Sequence, residues 1–529
     1  MRSAPEKQAP DNVTRLVAPS ARGRDKIKSV EELAELAAAC RARGQTVVLC
    51  HGVFDLMHMG HVRHFEEARR QGQVLIVTVT ADRYVNKGPG RPVFPATFRG
   101  EMLAAMENVD WVGVSNWPSA EGVIRLVKPD VYVKGSDYEN PGDDLTGMIE
   151  AERQAVADHG GRIVFTDDIT FSSSSLINQY LGVFDPVVHG YLSQLRETDF
   201  RDRALAAIDS VRDLKVLLVG DAIVDEYQYA VPMGKAAKEN IIASRFERRE
   251  TFAGGVFAAA NHVADFCHEV EVISCLGRKD PHEELIRDSM RRNVALNLIY
   301  RNDAPTTRKC RFVDPGHMRK MFEIYHFNDA PLSGSREREV CELIAAKAPD
   351  FDVVIVTDFG HGMITRWATN LLTEHSRFLA VNAQSNSGNL GYNLITKYRK
   401  ADYICIDEPE ARLAMADRFG DLGDLITVGL RSGITCDRVI ITHGQNGCVS
   451  YGRETGITKI PAFTRQVVDT VGAGDAFLAI TSPMIAAGAD MELAGFIGNA
   501  VGAIKVGIVG HRQSVEKVAL KKFITALLK

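Results

Sequence analysis

Short apolar runs alternate with helical stretches along most of the chain, and this alternation is the feature that most restricts its fold. In the first half the runs have the length of buried strands, and they occur at residues 46–50, 74–80, 111–114, 131–133 and 162–166. Strands that are separated by a helix form right-handed βαβ units with parallel strands. We therefore expect a parallel sheet whose ligands lie beyond the carboxyl ends of its strands.

The same pattern returns in the second half of the chain. Apolar runs predict strands at residues 215–219, 270–274, 352–357, 378–381, 403–406 and 438–442. A chain of 529 residues is too long for one hydrophobic core, and the usual size of domains suggests about two to four of them. The sequence predicts an α/β protein with two doubly wound parallel-sheet domains.

A change of pattern near residue 185 marks the predicted domain boundary. Asp185-Pro186 and Gly190 are turn signals that interrupt residues 181–197. Residues 198–214 form an amphipathic pattern, which favours the first helix of the next domain over a rigid spacer. We divide the chain into a disordered tail (1–25), a first domain (26–184), a linker or connecting helix (185–211) and a second domain (212–529).

Composition restricts the partners and the compartment. The net charge of −5 gives no reason to expect nucleic acid or an anionic membrane as a partner. The nine cysteines show no spacing of a zinc site and favour a reducing compartment, which we take to be the cytoplasm. The polar tail lacks the apolar segment of a signal peptide. Charged residues interrupt the apolar region 477–510, which predicts two buried helices and not a membrane span.

The turn after the first predicted strand contains two histidines beside a glycine. His58 and His61 flank Gly60 at the start of a predicted helix. Free backbone N–H groups and the helix dipole favour anions at such a position, so the two imidazoles are suited to contact a phosphate. Taken alone, a pair of surface histidines on a loop explains the motif equally well.

Charged and hydroxyl residues follow the other predicted strands of the first half. Asp82 follows the second strand and Lys134 the fourth, which places both at the same edge as His58. The neighbouring segments add Lys87, Arg99, Asp137, Ser172, Ser173, Ser174 and Ser175. A plain helix N-cap in a polar loop also explains the serine run.

These motifs resemble the nucleotidyltransferase superfamily that contains glycerol-phosphate cytidylyltransferase, over roughly residues 45–180. The resemblance implies that a sugar or alcohol phosphate attacks the α-phosphate of a nucleoside triphosphate and releases pyrophosphate. The catalytic residues that it implies are His58, His61 and Lys134. The nucleotide-binding residues that it implies are Gly52, Phe54, Asp55, Lys87, Arg99, Asp137, Ser172, Ser173, Ser174 and Ser175. His51 departs from one branch of the superfamily, so the choice between ATP and CTP stays open.

A glycine turn near the C-terminus is the sharpest feature of the second half. Residues 472–474 (Gly-Ala-Gly) open a predicted helix and offer clustered N–H donors to an anion. Asp475 follows and can accept the proton of an attacking hydroxyl. The run lacks the third glycine of a dinucleotide motif and the lysine of a P-loop, so we reject both. Gly254-Gly255 before an alanine-rich helix lets a ligand approach the backbone closely.

The glycine turn and the paired glycines resemble the ribokinase/PfkB carbohydrate kinase family over roughly residues 212–529. The resemblance implies transfer of the ATP γ-phosphate to a sugar hydroxyl, with Asp475 as base and Mg²⁺ as cofactor. The sugar-binding residues that it implies are Asp221, Gly254, Gly255, Asn261 and Asp469. The residues that it implies for ATP are Gly472, Ala473, Gly474, Asp407, Glu410, Thr442 and Gly444, and Glu410 is the expected Mg²⁺ ligand. Where heptose kinases of this family carry Asp-Pro-Lys, the chain has Asn382-Ala383-Gln384.

Together the two halves resemble a bifunctional heptose kinase/adenylyltransferase of lipopolysaccharide synthesis with the domain order reversed. The resemblance implies phosphorylation of a phosphosugar, such as a heptose 7-phosphate, at C1 and then nucleotidyl transfer from ATP or CTP to the sugar 1-phosphate. In one alternative the transferase is a cytidylyltransferase that acts on a different sugar or polyol phosphate. In another the second half is a silent sugar- or nucleotide-binding module that regulates or dimerises the first. The expected partners are small phosphosugars, nucleoside triphosphates and a second copy of the chain.

Overall fold

The computed structural model describes residues 23–85, 91–135, 148–166 and 184–529. The chain divides into two compact units. Of the described residues, the first unit contains 23–85, 91–135 and 148–166, and the second contains 184–529. Each unit is built around its own parallel sheet, so the predicted fold class of two α/β domains is confirmed.

The first unit contains a six-stranded sheet. Its strands are β1 (Ile27–Lys28), β2 (Val47–Gly52), β3 (Val74–Thr80), β4 (Trp111–Ser115), β5 (Val131–Gly135) and β6 (Arg162–Thr166). Its described helices are Val30–Ala42, Met59–Arg70, Ala96–Ala104, Glu121–Val127 and Met148–Ala157. The strand order is β1-β4-β3-β2-β5-β6, and every pair is parallel. After β2 the chain goes first to β3 and later to β5 on the other side, so the carboxyl ends of β2 and β5 border a switch-point crevice.

The second unit contains a nine-stranded sheet of order β11-β10-β7-β14-β15-β16-β17-β18-β19. These strands are β7 (Lys215–Gly220), β10 (Glu269–Lys279), β11 (Val294–Pro305), β14 (Val353–Asp358), β15 (Leu379–Ala383), β16 (Tyr403–Asp407), β17 (Arg438–Thr442), β18 (Cys448–Gly452) and β19 (Gly456–Ile460). The strands from β11 to β17 are parallel, and β18 and β19 are antiparallel additions at one edge. Its described helices of seven or more residues are Pro186–Arg196, Phe200–Ser210, Val256–Val263, Glu283–Ser289, Gly334–Lys347, Arg366–His375, Glu408–Met415, Ala473–Ala486, Met491–Lys505 and Lys517–Leu527. Separate apolar cores cover the two faces of this sheet, as a doubly wound fold requires.

A second, four-stranded sheet in this unit was not expected from the sequence. It has the order β13-β12-β8-β9 and consists of β8 (Ala222–Lys235), β9 (Ile242–Gly255), β12 (Thr307–Asp314) and β13 (Arg319–His326). The sequence indicated only an acidic strand end at residues 220–225, whereas β8 begins one residue after Asp221. β9 is not recognisable as a strand from the sequence, because most of its residues are charged or exposed and its apolar residues do not alternate regularly.

The interpretation of residues 181–197 as a turn is wrong where the structure describes them. Asp185 is the N-cap of the helix Pro186–Arg196, and its carboxylate accepts the backbone N–H of Val188 at 2.9 Å. Pro186 occupies the first helical position, where a missing N–H costs nothing. This helix and Phe200–Ser210 pack into a core of the second unit, so residues 185–211 belong to that unit.

The apolar region 477–510 forms two buried helices, as expected: Ala473–Ala486 and Met491–Lys505. Among the described residues no helix is long and apolar enough to cross a membrane.

Candidate active sites

A cavity of about 600 Å³ in the second unit lies at the carboxyl ends of β15, β16 and β17. It joins these strand ends to the glycine turn and to the small sheet. Its lining includes Asp225, Gly255, Lys309, Arg311, Gln384, Asp407, Glu410, Thr442, Gly444, Gly472, Gly474, Asp475 and His511. Most of the residues expected at the ATP site therefore share one cavity with the expected base.

The glycine turn is held from behind by a buried lysine. Lys505 donates to the carbonyl oxygens of Val471 at 2.7 Å and of Gly510 at 2.8 Å. Gly472 has a φ of 74°, and a Cβ there would lie 2.5 Å from Cε1 of His511. Both the left-handed backbone and the imidazole therefore require glycine.

Asp475 lies in the first turn of the helix that follows, and it is buried with 6% exposure. Burial raises the pKa of its carboxyl to about 6, because desolvation penalises the charged form. The side-chain amide of Gln384 donates to Oδ1 of Asp475 at 3.0 Å. A carboxyl group with this pKa can take a proton near neutral pH.

Two carboxyl groups lie together at one end of the cavity. Asp407 and Glu410 cap the helix Glu408–Met415 reciprocally: Asp407 Oδ1 accepts the N–H of Glu410 at 2.8 Å, and Glu410 Oε2 accepts the N–H of Asp407 at 2.9 Å. Burial, followed by the charge of Asp407, raises the pKa of Glu410 to about 9. Such a pair is suited to a cation.

Asp225 is the centre of an ionic cluster at the opposite end. Arg311 donates to its Oδ1, and Nε2 of His511 lies 3.2 Å from its Oδ2. Burial alone would raise its pKa, but Arg311 and His511 hold the pKa of Asp225 below the usual range. A Cβ at Gly254 would lie 1.9 Å from Oδ2 of Asp225, so the paired glycines make room for this carboxylate.

Lys309 lines the same end of the cavity and is 6% exposed. Its ammonium group lies 5.4 Å from the ring centre of Tyr325 and 5.6 Å from that of Phe359. Among the residues that the structure describes, no oxygen atom accepts a hydrogen bond from this group. Burial lowers the pKa of Lys309. A buried cation that lines a cavity and donates no hydrogen bond to a described oxygen atom is suited to an anionic ligand.

Of the five residues expected to bind the sugar, only Gly255 lines the cavity; Gly254 lies beside it, and the other three make contacts elsewhere. Asp221 accepts the backbone N–H groups of residues 359, 361 and 363. Asn261 bonds the backbone of Ser289 and Arg291, and Asp469 accepts from Tyr227, Lys320 and the N–H of Gly510. In this structure the three residues brace loops around the site. Asp225, Lys309, Arg311 and His511, which the sequence did not single out, occupy the cavity instead.

In the first unit, the two histidines form a reciprocal cap at the start of the helix Met59–Arg70. Nδ1 of His58 accepts the N–H of Gly60 at 3.1 Å, and Nδ1 of His61 accepts the N–H of His58 at 3.3 Å. An imidazole whose Nδ1 accepts carries its proton on Nε2 when it is neutral. Burial lowers the pKa of His58, which favours that neutral form. The cap therefore gives the neutral His58 ring an Nε2–H donor.

Phe54 holds this motif against the core. Its ring packs edge-on to His61 with centroids 5.4 Å apart and also contacts Phe65. A Cβ at Gly52 would lie 2.9 Å from the Phe54 ring, so the glycine is required by the ring. His51 lies between Thr78 Oγ1 at 2.9 Å and Thr80 Oγ1 at 3.2 Å, and burial, with Lys134, lowers its pKa to about 3.

The polar residues near this motif form hydrogen bonds and ion pairs with other residues of the first unit. Asp55 accepts the N–H of Phe94 and pairs with Arg91 at 3.4 Å. Arg99 has no exposed surface and donates to Asp82 and to the carbonyl oxygens of residues 53, 80 and 94, which places it inside the fold. Lys134 pairs with Glu152. The candidates Lys87, Asp137, Ser172, Ser173, Ser174 and Ser175 lie outside the described residues.

A model of the pfkB family of carbohydrate kinases matches residues 213–518, more than half of the chain. The chain belongs to this family. A cytidylyltransferase-like family model matches residues 49–180. The chain therefore combines two enzyme domains, a transferase-like domain followed by a carbohydrate kinase domain. The two domains follow one another along the chain in the order that the two sets of motifs predict.

Curated relatives carry the name "Bifunctional protein HldE". The protein of Alcanivorax borkumensis is 40% identical over 135 residues, which are 25% of this chain and 27% of that protein. The protein of Citrifermentans bemidjiense is 25% identical over 301 residues, which are 56% of this chain and 61% of that protein. The chain thus spans about a quarter of the length of the first relatives that it matches. Among solved structures, Escherichia coli phosphofructokinase-2 has a TM-score of 0.48 at 14% identity and covers 60% of this chain and 100% of its own.

Proposed function

We propose that the chain makes a nucleotide-activated sugar in two steps. The second unit phosphorylates a phosphosugar at C1 with ATP, and the first unit transfers a nucleotidyl group from ATP or CTP to the resulting sugar 1-phosphate. The observation that carries the kinase step is Asp475, a buried carboxyl group beside the glycine turn with a pKa raised to about 6. We propose a heptose 7-phosphate-like acceptor because both halves resemble the heptose enzyme. Nucleoside triphosphates and free cysteines suit the cytoplasm.

In the kinase step, Asp475 takes the proton of the acceptor hydroxyl. The acceptor oxygen forms a bond to the γ-phosphorus of ATP, the bond from that phosphorus to the β–γ bridging oxygen breaks, and ADP leaves. Negative charge that develops on the phosphoryl group is stabilised by the N–H groups at Gly472 and Gly474 and by the N-terminus of the helix. A positioned base contributes about 10²–10⁴-fold to such a rate.

Asp407 and Glu410 fit a magnesium ion. The two carboxyl groups line the cavity together, and burial, followed by the charge of Asp407, raises the pKa of Glu410, so a bound cation would stabilise the ionised form of this carboxyl group. Mg²⁺ in proteins usually takes one or two carboxylates together with phosphate oxygens and water. When bound, the ion would neutralise charge on the ATP phosphates. Glu410 stays the proposed ligand.

Lys309 supports an acceptor that already carries a phosphate. The charges of Asp225 and Asp475 reach this buried ammonium group, but neither accepts a hydrogen bond from it, and a phosphate on the acceptor would give it a direct ionic partner. Arg311 is less suited to this task, because Asp225 and Glu323 already occupy its guanidinium.

In the transferase step, a phosphate oxygen of the sugar 1-phosphate attacks the α-phosphorus of the nucleotide, and pyrophosphate leaves. We assign the Nε2–H groups of His58 and His61 to the triphosphate, because the helix cap orients both rings. The protein supplies orientation and charge here, and no covalent intermediate is required.

We also propose a homodimer that forms through the small sheet. Phe322 and Ile324 alternate along β13 and are 52% and 45% exposed, and Phe246 on β9 is 59% exposed. Exposed apolar residues on one sheet are typical of an interface. Sedimentation of the wild-type chain and of Phe246→Glu tests this proposal: a dimer that the charge dissociates is expected.

The decisive experiment is a panel of sugars and sugar 7-phosphates with ATP, in which ADP is measured, and a panel of sugar 1-phosphates with ATP or CTP, in which pyrophosphate is measured. ADP release with a phosphosugar and pyrophosphate release with its 1-phosphate are expected. Lys309→Met should raise KM for the phosphosugar far more than for the unphosphorylated sugar. A chain that consumes no ATP with any sugar has a silent second domain, and the kinase step is then excluded.

A further inference from the structure

The residues 382–384 (Asn-Ala-Gln) lie at the end of β15, and Asn382 and Gln384 line the cavity of the second unit. Their two amide side chains have different surroundings. Nδ2 of Asn382 donates to the carbonyl oxygen of Cys405 at 2.8 Å, which ties this residue to the neighbouring strand. Gln384 instead reaches Asp475, with Nε2 at 3.0 Å from Oδ1. The motif therefore touches the group that we assign as the base.

The backbone of Gln384 is fixed on both sides of its side chain. Its N–H donates to the carbonyl oxygen of Asp358 at 2.8 Å, and its own carbonyl oxygen accepts Nδ2 of Asn393 at 3.0 Å. Asn393 is 6% exposed and also bonds Asp358. A donor on such a braced strand end has little freedom, so its direction is set before any ligand binds.

Gln384 is also neutral, whereas several residues around Asp475 carry a charge. Positive charge already reaches Asp475 from His511, Lys309 and Lys505, while Asp225 acts in the opposite direction. An amide can orient a carboxylate by a hydrogen bond without adding a full charge. A lysine at the same place would form an ion pair with Asp475 and stabilise its ionised form.

We propose that Gln384 is the positioning residue of the kinase base: it holds Oδ1 of Asp475 so that Oδ2 takes the proton of the acceptor hydroxyl, and its neutrality sets the pH range in which the base works. The proposal rests on the proposed role of Asp475 in phosphoryl transfer. It gives a function to Gln384 of the Asn-Ala-Gln motif. The motif can then be explained without a catalytically silent second half.

The test compares three substitutions of Gln384 in the full chain, with ADP release measured against pH. Gln384→Met removes the donor at similar size and should lower kcat about 10–100-fold with a small change in KM, the usual worth of a hydrogen bond to a charged group. Gln384→Glu should move the acidic limb of kcat/KM up by about one pH unit, and Gln384→Lys should move it down by about as much. These opposite shifts are not expected from a side chain that only fills space.

Gln513→Met, at an exposed position, is the matched control and should keep wild-type kinetics. Thermal unfolding and binding of an ATP analogue verify that each variant folds. If the Gln384→Glu variant does not fold, the Met and Lys variants alone test the inference. A Gln384→Met chain with wild-type kcat, or variants whose acidic limb stays at the wild-type pH, overturns the inference alone. A wild-type chain without phosphoryl transfer to any sugar overturns the proposed kinase function, and the inference falls with it.

Discussion

The ammonium group of Lys505 donates a hydrogen bond of 2.7 Å to the carbonyl oxygen of Val471, from a side chain with no exposed surface. The same group bonds Gly510, so one buried cation ties two loops together behind the glycine turn. Burial lowers the pKa of Lys505, and the carbonyl oxygens replace the water that the charge has lost. The position of the turn therefore depends on a residue that does not line the cavity.

Lys505→Met should lower the kinase kcat by about 10²-fold, because a small displacement of the turn misplaces Asp475. It should also leave two carbonyl oxygens without their donor, at about 1–3 kcal/mol each. ADP release and thermal unfolding measure the two effects. Lys400→Met at an exposed position serves as the control. Unchanged kinetics in Lys505→Met would show that the turn keeps its position without the lysine.

Asp475→Asn should lower phosphoryl transfer by about 10²–10⁴-fold, the contribution of a general base. Asparagine keeps the shape and the contact with Gln384 but cannot take a proton. Pyrophosphate release from a supplied sugar 1-phosphate should persist, because the two sites belong to separate units. Equal loss of both activities would contradict independent sites.

The kinase activity should rise with pH through about 6. Asp475 must be ionised to accept a proton, and burial raises its pKa to about 6, so the fraction of competent enzyme falls as the pH drops below that value. The measurement is kcat/KM for ADP release between pH 5 and pH 8, at saturating Mg²⁺ and ATP. The residual activity of Asp475→Asn should lack this limb. A wild-type profile that stays flat down to pH 5 would mean that Asp475 is solvated in the working enzyme.

His58→Asn and His58→Ala should separate the two roles of this histidine. Asparagine is a good N-cap and can still accept the N–H of Gly60, whereas alanine cannot. Both variants lose the Nε2–H donor, so both should lose pyrophosphate release. The alanine variant should in addition unfold more easily by about 1 kcal/mol. An active His58→Asn chain would confine the residue to capping.

The central strands of both sheets were predictable because a strand that is buried on both faces of a sheet consists of a continuous apolar run. β3 is a seven-residue run that is buried throughout, and the predicted strand has the same bounds. The glycine turn was equally visible, since a positive φ at Gly472 and a helix N-terminus demand specific residues. The helix after Pro186 was missed because Asp-Pro is typical of both a turn and an N-cap.

The end of the cavity around Asp225 was less predictable. Asp221 and Asp225 follow the same strand four residues apart, and only the direction of β8 decides that Asp225 enters the cavity. Lys309 comes from β12, in a sheet whose strands alternate too weakly to be recognised. The contact between Gln384 and Asp475 joins residues 91 positions apart in the sequence. Spacing within a motif carries no information about such a contact.

His51→Gln should make the first unit less sensitive to acid. The pKa of His51 is lowered to about 3 in the folded chain, chiefly by burial, and its usual value is about 6.5. Below pH 6.5 the unfolded chain therefore binds a proton that the folded chain excludes, so stability present at pH 7.5 is lost as the pH falls toward 3. At pH 5 the loss from this residue is about 2 kcal/mol.

Glutamine cannot titrate, so the variant should lose less stability than the wild type between pH 7.5 and pH 5. Trp111 and Trp117 lie in the first unit, and Trp367→Phe removes the one tryptophan of the second, so urea unfolding followed by fluorescence reports the first unit. His64, whose pKa is lowered to about 4, is present in both chains, and its contribution cancels in the comparison. Parallel pH dependence of the two chains would show that the His51 ring meets water in the folded state.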